Sequence, residues 1–206
     1  MDGVLVDSEK YICEAAIQMF REKRLTVQYD DFLPFVGAGE NRYLGGVAEK
    51  YGIQDEVIPM KDRTYQIYES ITRGKLKPLP GVPEFIAKCK ARGLKIAVAT
   101  SADRVKMLIN LREIGLPESV FDATVNGLEV ERKKPFPDIF LSAAAKLGLK
   151  AEACLVVEDA VNGVRAAKSA GSKCLGLTTS FTKDQLLDAD WIASNLADAP
   201  DEALNW

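Results

Sequence analysis

Three groups of residues in this chain, behind an acidic opening, could together handle a phosphate ester. An aspartate opens the chain in Asp2-Gly3-Val4-Leu5-Val6-Asp7-Ser8. Thr100 and Ser101 follow an apolar run, Lys134 stands in Lys134-Pro135-Phe136-Pro137-Asp138, and Glu158-Asp159 close a second apolar run. Hydroxyl and ammonium groups suit phosphoryl oxygens, and adjacent carboxylates suit a hard cation such as Mg²⁺. Each group also has a plainer reading. A hydroxyl or an acidic pair after a strand caps the next helix, and Lys-Pro makes a solvated turn. The placement of Thr100-Ser101 and Glu158-Asp159 at the ends of apolar runs favours chemistry, because open parallel sheets bind ligands beyond the carboxyl ends of their strands.

The elements that must carry these groups follow from periodicity. Ile12, Ala15, Ala16, Met19 and Phe20 recur at the helical period, with Ser8 as N-cap. No strand-like alternation appears before the nineties, so residues 10–77 are expected to form a helical unit. Lys77-Pro78-Leu79-Pro80-Gly81 is a rigid, extended return. Strands are then predicted at 94–100, 123–125, 154–157 and 173–177, alternating with helices at 82–91, 103–114, 137–147 and 162–170. Apolar strands alternating with helices predict an α/β fold, a parallel sheet covered on both faces. The expected division is a core of residues 1–9 and 78–206 and a helical domain of residues 10–77.

Composition excludes several function classes. With 206 residues there is room for one domain and an insertion. A net charge of -3 offers no footprint for nucleic acid. No apolar run approaches the ~20 residues that span a bilayer, and the polar, acidic start is not a signal peptide. The expected partner is therefore a small molecule, with neither nucleic acid nor membrane, and a cytoplasmic monomer is anticipated (plastid stroma if the source is a plant). Cys13, Cys89, Cys154 and Cys174 are widely spaced and are expected to be buried thiols in a reducing compartment. The chain has no histidine, which removes Ser-His-Asp and Cys-His catalysis.

Taken together, D-G-V-L-V-D-S, the strand ending in Thr100-Ser101, K-P-x-P-D-I-F and V-V-E-D-A-x-x-G-V-x-A-A-x-x-A-G resemble, in order and spacing, the signatures of the haloacid dehalogenase (HAD) superfamily. The resemblance covers nearly the whole chain. It implies a Rossmann-like core with an inserted helical cap at residues 10–77. It also implies a Mg²⁺-dependent phosphatase that acts on a small phosphorylated metabolite through an aspartyl-phosphate. Asp2 matches the general acid/base, whose main-chain carbonyl also ligates Mg²⁺. Thr100, assisted by the Ser101 backbone, matches the group that hydrogen-bonds the phosphoryl, and Lys134 the lysine that neutralises it. Asp159 matches the acidic Mg²⁺ ligand, with Glu158 supporting the metal directly or through water.

By pattern the chain is most similar to the β-phosphoglucomutase-like, or CbbY-like, subgroup with a C1-type cap. Two mutase features are missing. The arginine that grips a distal phosphate would fall near Glu40, and the cap histidine near Ile12. Arg42 could reach a phosphate from a shifted position; its plainer reading is a solvated helix face. The run Phe35-x-Gly37-x-Gly39-Glu40 through Leu44-Gly45-Gly46-Val47, with Ser101-Ala102-Asp103-Arg104, is also similar to the HAD-like domain of plant suppressor-of-quenching proteins.

The family signature begins D-x-D-G, and Met1 falls on its x. The first aspartate, the family's nucleophile, and the strand that carries it have no counterpart. Two expectations follow: a start that omits them, or a natural non-catalytic relative. The first is preferred on physical grounds. The resemblance makes that strand the central one, and removing it leaves a slot of about 9.6 Å walled by unpaired backbone groups. Each such buried group costs on the order of 1–3 kcal/mol in a domain stable by only ~5–15 kcal/mol. The chain as given is thus expected to be inactive. The alternatives to a phosphatase are a silent scaffold that binds a phospho-ligand or a protein, and a sugar-phosphate mutase.

Overall fold

The protein is described from a computed structural model, over residues 1–35, 39–54 and 56–206. Gly37 of the glycine-rich run lies outside the described residues. Helix α1 (Glu9–Glu22) buries Ile12, Cys13, Ala15, Ala16, Met19 and Phe20, the stripe its periodicity predicts. Helix α3 (Val57–Thr72) packs against α1 and against α2 (Glu40–Lys50). The rings of Phe20 and Phe32 lie 6.2 Å apart, and those of Phe32 and Tyr43 4.9 Å apart. These aromatics fill the space that three short helices would otherwise leave between them.

Beyond Pro80 the chain alternates as its pattern predicts. Helix α4 (Val82–Ala91) starts after Gly81, whose φ of 80° suits only glycine; a side chain there would also strike the Ala197 backbone. Strand β1 (Ala97–Ala99) leads to α5 (Arg104–Glu113), β2 (Ala123–Val125), α6 (Asp138–Leu147), β3 (Leu155–Glu158), α7 (Val161–Ser169), β4 (Lys173–Leu177) and β5 (Trp191–Ala193). Every strand pair is parallel, with Val98 opposite Thr124, Val156 opposite Cys174 and Gly176 opposite Ile192. The fold is α/β with parallel sheets. Among the described residues no helix is long and apolar enough to cross a membrane.

Three expectations are corrected. The strand predicted at 94–100 is only three residues long. Ile96 instead exchanges hydrogen bonds with Asp122, its N–H donating to the carboxylate at 2.8 Å and its carbonyl accepting from the Asp122 N–H at 2.8 Å. Strand β5 went unpredicted, being three residues between polar turns. Of the four cysteines, all free thiols, Cys154 is only partly buried.

The sheet is in two pieces. One contains β1 and β2, the other β3, β4 and β5, and no described strand lies between β1 and β3. An apolar cavity of about 450 Å³ occupies that place, lined by Val98 and Ala99 on one side and Leu155, Val156 and Val157 on the other. Met1, Val4 and Leu5 also line it. Residues 1–6 form a tight turn rather than a strand, with the Leu5 N–H donating to the Met1 carbonyl at 2.8 Å. The Leu79 N–H donates to the Leu5 carbonyl at 2.9 Å and ties this turn to the proline-rich return.

Candidate active site

The acidic pair is positioned by β3. Glu158 is the strand's last residue and is buried, and Asp159 follows it. Lys134 forms an ion pair with Glu158 Oε1, while Glu158 Oε2 accepts from the main-chain N–H groups of Asp159 and Ala160, each at 3.1 Å. Burial would raise the Glu158 carboxyl, but the Lys134 ammonium and these donors outweigh it and hold the group below the usual carboxylate range. Space for this carboxylate exists because residue 163 is glycine: a Cβ there would lie 2.1 Å from the Glu158 carboxyl carbon.

Asp159 is less well neutralised. It accepts from the Ser180 hydroxyl and makes no ion pair among the described residues. Burial and the neighbouring Glu158 push its carboxyl up to about 6. The opening turn reaches the same place. Gly3, at φ 68°, passes so close that a Cβ would sit 1.9 Å from Asp159 Oδ2. Glycine after Asp2 is therefore required twice, by backbone angle and by contact.

The Asp2 side chain turns the other way, toward the helical unit. Its Oδ1 accepts from the Ser8 hydroxyl and from Asn110 Nδ2 at 3.2 Å, and lies 3.5 Å from Lys106 Nζ. Burial would raise this carboxyl, but Lys106, the terminal ammonium and the Ser8 hydroxyl together lower it. Lys106 is buried and is shared with Glu40 Oε1 at 3.7 Å. Burial disfavours its charge, yet Asp2 and Glu40 outweigh burial and raise it. Beside it, Lys61 of α3 bridges to Asp103 at 2.5 Å.

Thr100 is buried at the end of β1, where its hydroxyl accepts from the Ala102 N–H at 3.2 Å. Ser101 is partly buried, and its carbonyl lies where a Cβ on Gly127 would sit, at 2.1 Å. Lys134, Glu158 and Asp159 are thus brought together beside Gly3. Asp2 joins them through the backbone of its turn, and Thr100 and Ser101 stand at the end of β1. Arg42 is not brought to them. Its guanidinium bonds Glu49 at 2.8 Å and lies 4.9 Å from the Phe35 ring, on the exposed face its plainer reading predicts. Sequence reasoning passed over Lys106, Asp103, Lys61 and Glu40 as ion-pairing groups. A single signal was available: Lys106 and Asn110 are polar at i and i+4 in a helix that should bury that face.

The donor set fits Mg²⁺ in part. Among the described residues no three acidic, thiol or imidazole side chains converge as a cage. Mg²⁺ commonly takes one or two carboxylates and keeps waters and substrate phosphate for the remaining positions. Two hard carboxylates beside the Gly3 backbone, one of them short of positive charge, supply that kind of donor set.

Comparison with known proteins places the chain in a family. The haloacid dehalogenase-like hydrolase family matches residues 1–171. The chloroplastic protein suppressor of quenching 1 of Arabidopsis thaliana is 43% identical over 197 residues, 92% of this chain. The chain spans only 18% of that relative's length. A phosphorylated carbohydrates phosphatase of Thermotoga maritima is 33% identical over 207 residues, covering all of this chain and 94% of that protein. Among solved structures, CbbY from Rhodobacter sphaeroides in complex with phosphate superposes with a TM-score of 0.87 at 23% identity, covering 100% of this chain and 96% of that one. On the family match, the full-length relative and the shared fold, this chain belongs to the haloacid dehalogenase-like hydrolases.

Proposed function

We propose that this fold is a Mg²⁺-dependent phosphatase for a small phosphorylated metabolite, working through an aspartyl-phosphate. The observation that carries the reading is the Lys134–Glu158 pair with Asp159, set against the Gly3 backbone beside the slot between β1 and β3. Phosphoryl transfer asks for positioning and for cancelled charge on the phosphoryl oxygens. Thr100 and the Ser101 backbone would hold those oxygens, and Lys134 would neutralise them. Asp2 would give a proton to the leaving oxygen and later take one from water. Asp159, Glu158 and the Asp2 carbonyl would hold Mg²⁺, which offsets charge on the phosphate when bound. Residues 10–77 would act as the cap, excluding water and selecting substrate.

The nucleophile belongs to the same proposal. Its aspartate would sit at the end of an apolar strand lying in the slot, ahead of Met1, and the 206-residue chain by itself would be inactive. Two observations support this: the cavity is apolar, and β1 and β3 have no described strand between them. The test is to extend the chain before Met1 with a hydrophobic strand ending in Phe-Asp. Phosphate release from aryl and sugar phosphates is then measured with and without Mg²⁺. The extended chain should turn over only with Mg²⁺, the 206-residue chain not at all. In the extended chain Asp2→Asn should slow turnover by ~10²–10⁴-fold. Turnover by the unextended chain, unaffected by Asp2→Asn, would refute the assignment.

A further inference from the structure

The chain leaves β4 through three hydroxyl residues in a row, Thr178-Thr179-Ser180. Strand β4 lies parallel to β3, with Gly176 opposite Glu158, so the chain beyond Leu177 emerges beside the acidic pair. The Thr178 N–H donates to the Ala193 carbonyl at 3.0 Å, which anchors the start of the loop to β5. The next two hydroxyls turn to the rim. Thr179 Oγ1 donates to the Gly3 carbonyl at 2.5 Å, and Ser180 Oγ donates to Asp159 Oδ2. One short loop thus holds both the opening turn and the second carboxylate, 176 and 21 residues away in the chain. Thr179 and Ser180 are exposed residues, so water would satisfy their hydroxyls if nothing else drew them to these partners.

The two carboxylates of the pair are held differently. Glu158 has donors on both oxygens, Lys134 on one and the Asp159 and Ala160 N–H groups on the other. Asp159 has the Ser180 hydroxyl as its hydrogen-bond donor among the described residues, on Oδ2. Oδ2 is also the oxygen nearest the opening turn: a Cβ on Gly3 would lie 1.9 Å from it and 3.0 Å from Oδ1. A carboxylate fixed through one oxygen keeps the other in a constant direction. Mg²⁺ demands near-octahedral oxygen coordination, so a ligand held in this way binds it better than one that swings.

We propose that Ser180 and Thr179 are positioning residues for the cation: the Ser180 hydroxyl holds Asp159 by Oδ2 and leaves Oδ1 free to ligate, and the Thr179 hydroxyl fixes the opening turn whose Asp2 carbonyl belongs to the same donor set. Neither is itself a ligand. Both act through the groups they hold. The inference rests on the metal-dependent reading of the rim and adds to it the loop that sets how tightly the ion is bound.

The test is titration of the 206-residue chain with Mn²⁺, which takes the same six-oxygen coordination as Mg²⁺ and is followed by its electron paramagnetic resonance signal. Ser180→Ala and the near-isosteric Thr179→Val should each weaken binding by ~10-fold or more, the usual effect of removing a hydrogen bond that orients a ligand. Ser180→Thr keeps the hydroxyl and should bind as wild type does. Thr182→Val is the control, because that hydroxyl, in the same loop, donates to Gln185 Oε1 at 3.1 Å and not to the rim. Thermal melts in EDTA establish that every variant is folded. Binding by Ser180→Ala as tight as wild type's, or tighter, overturns the proposal while leaving the metal site standing, and the same result for Thr179→Val overturns it for that residue. An equal loss in Thr182→Val also overturns it, since the shape of the loop and not its hydroxyls would then set the affinity. If wild type binds no Mn²⁺, the metal reading of the rim fails and this proposal falls with it.

Discussion

Two buried glutamates on either side of Asp2 meet opposite treatment. Glu158 has a lysine on one oxygen and two main-chain donors on the other, and its carboxyl lies below the usual range. Glu40 shares a lysine on one oxygen and, among the described residues, has no hydrogen-bond partner on the other, and its carboxyl rises to about 7. Both are almost wholly removed from water, so burial alone does not separate them. The difference is the number of donors that the fold supplies. The rim of the sheet, at the end of β3, thus holds its glutamate with a complete donor set, and the helical junction holds Glu40 with an incomplete one.

The strongest way to break this comparison is at Lys106, which serves both Asp2 and the junction. Lys106→Met strands the buried Glu40 carboxylate and the partly buried Asp2 carboxylate, and we expect a loss of ~3 kcal/mol in urea unfolding. A loss under ~1 kcal/mol would mean that water, not Lys106, solvates the junction.

A smaller effect is expected at the rim. Gly163→Ala places a methyl group 2.1 Å from the Glu158 carboxyl carbon and must push the carboxylate off its donors. Overpacking of this kind costs ~1–3 kcal/mol, and the variant should also weaken binding of inorganic phosphate as Lys134 loses its anchor. Gly45→Ala, where the nearest atom would be the Val57 side chain at 3.4 Å, is the control and should change little. Equal melts for the two variants would show that the Glu158 cradle is not tight.

The subtlest effect is in pH dependence. An acid whose folded value is raised binds more protons in the native state than in the unfolded one. Glu40, raised from 4.5 to about 7, therefore contributes stability below about pH 4.5 that is lost as pH climbs toward 7. Glu40→Gln should flatten stability over that window, read from chemical denaturation at pH 4.5, 6 and 7.5. A profile as steep as wild type's would assign the slope to other groups.

Much of the architecture was legible in the sequence. The stripe on α1 and the span of α4 match their periodicity, because a helix buries residues at i, i+3 and i+4 whatever it packs against. The acidic pair at the end of β3 and its lysine were legible as well, since each lies at a strand end or turn with its own local pattern. Ser8 stands at the N-cap as predicted, but the contacts of its side chain, and of Asp103, were not legible. Both stand at N-cap positions, and neither side chain caps its helix. Ser8 donates to Asp2 and Asp103 pairs with Lys61, because a buried charge outbids a local backbone donor.

Local sequence, then, determined the elements, their order and the family to which they belong, for these depend on neighbours a few residues apart. Tertiary structure alone decided which charges meet. Asp2 and Lys106 are about a hundred residues apart in the chain, Glu40 and Lys106 more than sixty, and no periodicity encodes such contacts.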